Sequence, residues 1–241
     1  MKQPIANSLQ QHIASYIGRQ LRDIFGKGPE SVFVSIGGSY LTVYLRSFLT
    51  PSEKALLEHG QERTVRRTRE KLMPLLISPL TEWLEHTTGV RPSEVYYDWN
   101  LPEGTGMLVL KGSCSFEGFP EPNGSFKGRD GLVREVVRVS HQVEKAPDGL
   151  ETYEMNGRTL LFVRKGVLVQ VENELIRLGQ GEFLKDVKRS LEKRLLERLK
   201  GYDPGMNKRI AEVFVDWSFE LDKSVILMIL RSHSETAGPD L

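Results

Sequence analysis

Glu94-Val95-Tyr96-Tyr97-Asp98-Trp99 and Glu212-Val213-Phe214-Val215-Asp216-Trp217 read as one strand written twice, 118 residues apart. Tryptophan is rare, so an Asp-Trp pair at the same point of two β-branched and aromatic runs carries weight. A second stretch agrees with it. At an offset of 119, Gly38–Gln61 lies over Gly157–Gln180 and shares seven of 24 positions. These are Gly38/Gly157, Leu41/Leu160, Leu49/Leu168, Glu53/Glu172, Leu56/Leu175, Gly60/Gly179 and Gln61/Gln180. Ordinary residue usage predicts roughly one or two such identities. A period this long is not that of a solenoid; it marks two whole units in tandem.

Each unit reads as α-β-β-α-β-β. Ile5, Leu9, Ile13, Ile17, Leu21 and Ile24 form one helical stripe over residues 5–25, which Gly26 caps and Pro29 prevents from resuming. Val32–Ile36 and Tyr40–Arg46 are strands joined at Gly37-Gly38. Thr50-Pro51-Ser52-Glu53 is a helix start with capping residue, first-turn proline and capping-box carboxylate. The helical pattern runs to about His86, interrupted near Gly60, with kinks expected at Pro74 and Pro79, and Gly89 ends it. Glu94–Asn100 and Met107–Lys111 close the unit as strands.

After a Gly-, Ser- and Pro-rich stretch the order begins again. It runs through a helix at Leu132–Val143, a hairpin turn at Asn156-Gly157 and a strand at Leu160–Lys165. A long helical region at Glu172–Lys200 and strands at Glu212–Ser218 and Val225–Arg231 complete it. The expected fold class is therefore α+β: two tandem αββαββ units, each an antiparallel sheet packed against long helices. The expected divisions are domain 1 at 1–111, a linker at 112–130, domain 2 at 131–232 and a flexible tail at 233–241.

The chain has 241 residues, 39% apolar and 27% charged, with a formal charge of +1. That balance gives no reason to expect nucleic acid as a partner. Cys114 is the only cysteine, which excludes an intramolecular disulfide and points to a reducing compartment. No apolar run approaches the roughly 18 residues of a transmembrane segment, so a cytoplasmic location is expected.

Gly26-Lys27-Gly28-Pro29-Glu30-Ser31-Val32 followed by Leu49-Thr50-Pro51-Ser52-Glu53 resembles the MpsC-type family. These are small bacterial proteins described as Na+-translocating-like components of a membrane-potential-generating system. The resemblance extends to an Arg-bearing helix, here Arg63, Arg66, Arg67 and Arg69, and to the strand holding Asp98. The second half keeps it in outline, with Glu144-Lys145-Ala146-Pro147 for the turn, Leu168-Val169 for Leu-Thr, and Glu172 and Asp216 retained. Membership implies a cytoplasmic accessory role beside membrane protein subunits engaged in cation-coupled uptake of inorganic carbon. It assigns no chemistry to particular side chains.

The candidate sites divide accordingly. The Gly26–Pro29 turn follows a helix rather than preceding one, so it reads as a cap and not as a phosphate loop. Arg63, Arg66, Arg67 and Arg69 sit at a helix N-terminus, where cations oppose the dipole. They read either as a solvated, ion-paired face or as a surface for a small anion, bicarbonate or phosphate, or for a partner. Asp98, Trp99, Asp216 and Trp217 are repeated positions of functional interest. The two carboxylates suit acid/base work only beside a polar cleft, and otherwise bond nearby backbone. His12, His59, His86, His141 and His233 lack metal-ligand spacing, so no metal and no cofactor is expected. No residue is assigned as catalytic, and Leu191, Leu195 and Leu199 read as core. The leading expectation is a non-enzymatic accessory or regulatory protein, with membrane subunits or a second copy as partner. An anion-binding module and an enzyme with a cleft between the halves remain as alternatives.

Overall fold

The computed structural model describes residues 3–203, 205 and 207–232, with side chains from residue 8 onward. The expected tail, with His233, and the side chain of Ile5 lie outside the described residues. The chain divides into two compact units, Met1–Glu121 and Pro122–Leu241. The first contains α1 (Gln3–Phe25), β1 (Ser31–Gly37), β2 (Tyr40–Arg46), α2 (Pro51–Glu58), α3 (Glu62–Thr88), β3 (Pro92–Asn100) and β4 (Thr105–Gly112). The second contains α4 (Arg129–Val143), β5 (Gly149–Asn156), β6 (Thr159–Lys165), α5 (Gln170–Arg177), α6 (Gly181–Leu196), β7 (Lys208–Ser218) and β8 (Lys223–Ser232). A short 3-10 turn, Glu197–Leu199, follows α6. The fold is α+β, with two similar halves.

Both sheets are antiparallel, ordered β1-β2-β4-β3 and β5-β6-β8-β7. Their likeness extends to single residues. Leu41 faces Leu110 as Leu160 faces Met228, and Trp99 faces Gly106 as Trp217 faces Ser224. A register shift between Pro92 and Glu94 recurs between Ile210 and Glu212. Left-handed backbone occurs at Ser47, Gly60, Gly89 and Gly104, and again at Gly166, Gly179, Asn207 and Asp222. Such conformations are costly for most residues, so four matched positions mean that the same turns were kept.

The helices cover one face of each sheet. In the first unit Ile13, Ile17 and Leu21 of α1 and Met73, Leu76, Leu80 and Leu84 of α3 pack with Leu41, Leu45, Trp99 and Leu108. In the second, Leu132, Val136 and Val139 of α4 and Leu196 of α6 pack with Leu160, Phe162, Val213 and Trp217. Each such side chain contributes about 1.5–3 kcal/mol by leaving water.

Two details differ from expectation. The long helical region of the second half is divided at Gly179, as Gly60 divides α2 from α3. Across 112–130 the chain is packed at both ends. Phe116 enters the first core, and Gly38 donates to the Pro120 carbonyl at 2.8 Å. Phe126 enters the second core, and Asn123 bridges Glu154. α3 itself runs on through Pro74 and Pro79, both on its exposed side, where carbonyls lacking a helical partner can meet water.

Candidate functional site

α2 starts at a complete capping box. The Glu53 amide donates to Thr50 Oγ1 at 3.2 Å, and Glu53 Oε2 accepts from the Thr50 amide at 2.9 Å. That fixes the Glu53 carboxylate beneath α3, where Arg69 meets it with two bonds, Nε to Oε1 at 2.7 Å and Nη2 to Oε2 at 2.8 Å. Arg69 also donates to the Phe48 carbonyl at 2.8 Å. Its guanidinium lies 4.5 Å from the Trp99 ring centre and 4.6 Å from that of Phe48. Arg69 is completely buried. Burial alone raises the Glu53 pKa, but the bonds and charge of Arg69, with those of Thr50, outweigh it and hold the carboxyl below its ordinary value.

Arg66, one turn earlier on α3, donates to the Trp99 carbonyl at 3.2 Å, pairs with Glu62 at 2.8 Å and approaches Asp98 at 3.8 Å. Asp98 also accepts from the Trp99 amide at 2.8 Å. Arg63 and Arg67 are exposed. The four arginines therefore do not converge. Arg69 lies on the buried stripe of Val65, Arg69 and Met73, and this i, i+4 spacing was the sequence signal separating it from its neighbours.

At an offset of 119, Glu53, Arg66 and Arg69 correspond to Glu172, Lys185 and Lys188. The contacts correspond too. Lys188 pairs with Glu172 at 2.8 Å and lies 5.9 Å from the Trp217 ring centre, and Lys185 pairs with Asp216 at 2.7 Å. The repeated Asp-Trp positions are thus anchor points for cations on the covering helix, one pair in each unit.

The second unit adds charges that sequence reading missed. Glu144, Arg164 and Glu192 have no exposed side-chain surface. Arg164 and Glu192 stand over Leu45 and Met73 at the same offset, both members of the first core, while Glu144, the cap of α4, stands over Gly26, which follows α1. Apolar residues replaced by charged ones at interior positions were visible in the aligned halves, and that was the available signal. Arg164 donates to Ser224 Oγ at 2.6 Å, to Ser140 Oγ at 2.7 Å and to Glu192. Glu144 pairs with Lys188 and lies 3.5 Å from Arg164 Nη1. Burial pushes the Glu144 pKa up to about 7, and the Glu192 charge adds to the rise against the opposing pull of Arg164 and Lys188.

Elsewhere, Cys114 is exposed. Among the described residues no group of three or more His, Cys, Asp or Glu is placed to hold a metal ion. No helix among them is long and apolar enough to cross a membrane. Leu199 and, in part, Leu195 pack on the second core.

Residues 6–112 match the family described as Na+-translocating membrane potential-generating system (MpsC). The match ends with the last strand of the first unit, and the likeness of the second to it rests on the register and contacts above. No curated protein and no solved structure gives a significant match.

Proposed function

We propose, from the match of residues 6–112 to the MpsC family, that this chain is a non-enzymatic accessory protein that docks on membrane subunits of a cation-translocating system. Its site of action would be the cytoplasmic side, and the transport it supports would be cation-coupled uptake of inorganic carbon. The repeated carboxylates and cations support a structural role, because each is occupied by another within its own unit.

One observation carries the docking reading. α5, its C-terminal cap and α6 expose Val171, Leu178, Phe183 and Val187 to 66%, 59%, 62% and 45%. The first unit has Ser52, His59, Thr64 and Thr68 at the corresponding positions. Fold maintenance does not require apolar residues there, since the same helices form without them. Exposed apolar side chains grouped on neighbouring helices are what a protein partner buries. The test is capture from native membranes with the wild type and with V171S/L178H/F183T/V187T, which restores the first unit's residues. Membrane subunits should accompany the wild type and be lost from the variant while its circular dichroism is unchanged. Equal recovery would refute the docking face. A dimer that the substitutions dissociate, with no membrane subunit captured, would assign the face to a second copy instead.

A further inference from the structure

One ion-paired cluster inside the second unit joins three carboxyl groups, Glu144, Glu172 and Glu192, to two cations, Arg164 and Lys188. With all five ionised, the cluster carries one excess negative charge away from water, which is strongly unfavourable. One bound monovalent cation restores neutrality, and the smallest is a proton.

The geometry says where it goes. Glu144 Oε1 and Glu192 Oε1 approach the same nitrogen, Arg164 Nη1. Glu144 Oε1 and Glu192 Oε2 are buried yet lack a hydrogen-bond partner. Two carboxylates brought to one cation, with unpartnered oxygens, resist joint ionisation, and Glu144, the farther from Arg164, keeps its proton. Every element around Glu144 has a share in this. α4 supplies Ser140, β6 supplies Arg164, α6 supplies Lys188 and Glu192, β8 supplies Ser224 through Arg164, and α5 supplies Glu172 through Lys188.

We propose that Glu144, set beside Glu192 at Arg164, holds one exchangeable proton inside the second unit, and that this unit loses stability as pH rises toward neutrality. The first unit is the internal control, because Leu45 and Met73 fill the places of Arg164 and Glu192 without charge, and Gly26 that of Glu144. The cluster is therefore not a requirement of the fold. It makes one half responsive to pH near neutrality, where the other is not.

The sign follows from linkage. A carboxyl raised from 4.5 to about 7 in the folded state binds more protons folded than unfolded between those values. Stability is then full below 4.5, falls as pH rises through this window, and levels off above about 7. Between pH 5.5 and 8.5 the unfolding constant of the second unit should rise about 30-fold on this account.

The experiment is denaturation of the full chain across that range, with hydrogen exchange resolving the units. In the wild type, protection of β6 and α6 should fall with pH while that of β2 and α3 stays level. E144Q and E192Q should each flatten the dependence, and the graft E144G/R164L/E192M should abolish it. Should any variant fail to fold, infrared spectra of the wild type alone still decide, because the carbonyl stretch of a protonated buried carboxyl must titrate near neutral pH. A level wild-type profile, no such band, or unchanged slopes in folded E144Q and E192Q would each overturn the proposal. So would a stabilisation by sodium over choline, at fixed pH and ionic strength, that E144Q removes, since the site would then hold a metal cation.

Discussion

Replacing Arg69 by methionine tests the first unit where it is most committed. The substitution keeps volume and helix propensity but removes a bidentate pair with Glu53 at 2.7 and 2.8 Å, a bond to the Phe48 carbonyl, and the stack over Trp99. Glu53 then stays buried without its cation. Breaking a buried pair from one side costs about 3–5 kcal/mol, most of it from the orphaned charge. R69K should cost less, about 1–2 kcal/mol, because an ammonium keeps the charge but not the fork; Lys188 makes that pairing with Glu172 at 2.8 Å. E53Q/R69M should lose less than R69M and E53Q summed, since glutamine can still reach back to the Thr50 amide and leaves no bare charge. Denaturant titration with hydrogen exchange in α2, α3 and β3 measures all three. The R69M penalty should also shrink as acid protonates Glu53, whose lowered pKa in the wild type adds stability that is present above 4.5 and lost as pH falls through the folded value. An R69M loss below about 1 kcal/mol, or strict additivity in the cycle, would refute the reasoning.

Three further outcomes follow from local geometry. Val169 holds the extended backbone of an N-cap, φ −98° and ψ 164°, and Glu172 reaches back to its amide at 3.0 Å, but valine has no oxygen to return the bond. V169T should therefore gain about 0.5–1 kcal/mol in thermal denaturation, and T50A should lose about 1 kcal/mol from the first unit. Gly106 lies opposite Trp99, and an added Cβ would sit 2.4 Å from the ring. G106A should cost about 1–3 kcal/mol and change the near-ultraviolet dichroism of tryptophan; an unperturbed spectrum would mean that the ring moves freely.

The sequence made the framework readable because the framework depends on periodicity and turns. Alternation in Glu94–Trp99 and Glu212–Trp217 set strand faces, Thr50-Pro51-Ser52-Glu53 set a helix start, and the two offsets related the halves. The break at Gly179 was readable as well, once Gly60 was seen to interrupt its own helix. Chemistry in the interior was harder to read. Four arginines in seven residues look alike along the chain, and only the helical phase of Val65, Arg69 and Met73 sends one of them inside. Arg164 sits in Leu160–Lys165 where strand alternation continues inward, but a charged residue at a strand end ordinarily reads as surface.

Glu144, Arg164 and Glu192 come from three distant segments, and none has a motif. Their meaning lies in what each replaced. A buried charge in a single domain says little, because its alternatives are unknown. A duplicated chain supplies those alternatives, since Leu45 and Met73 show that the same backbone closes over hydrocarbon where the second unit has Arg164 and Glu192. The same comparison works in reverse at the surface, where Ser52, His59, Thr64 and Thr68 became Val171, Leu178, Phe183 and Val187. The second unit has thus moved charge inward and hydrocarbon outward, each against the ordinary free-energy gradient. Drift tolerated by a robust fold would scatter such changes. Here the charged replacements meet around one arginine, and the apolar ones fall on the consecutive segment of α5, its cap and α6, which ties both departures to the α6 helix.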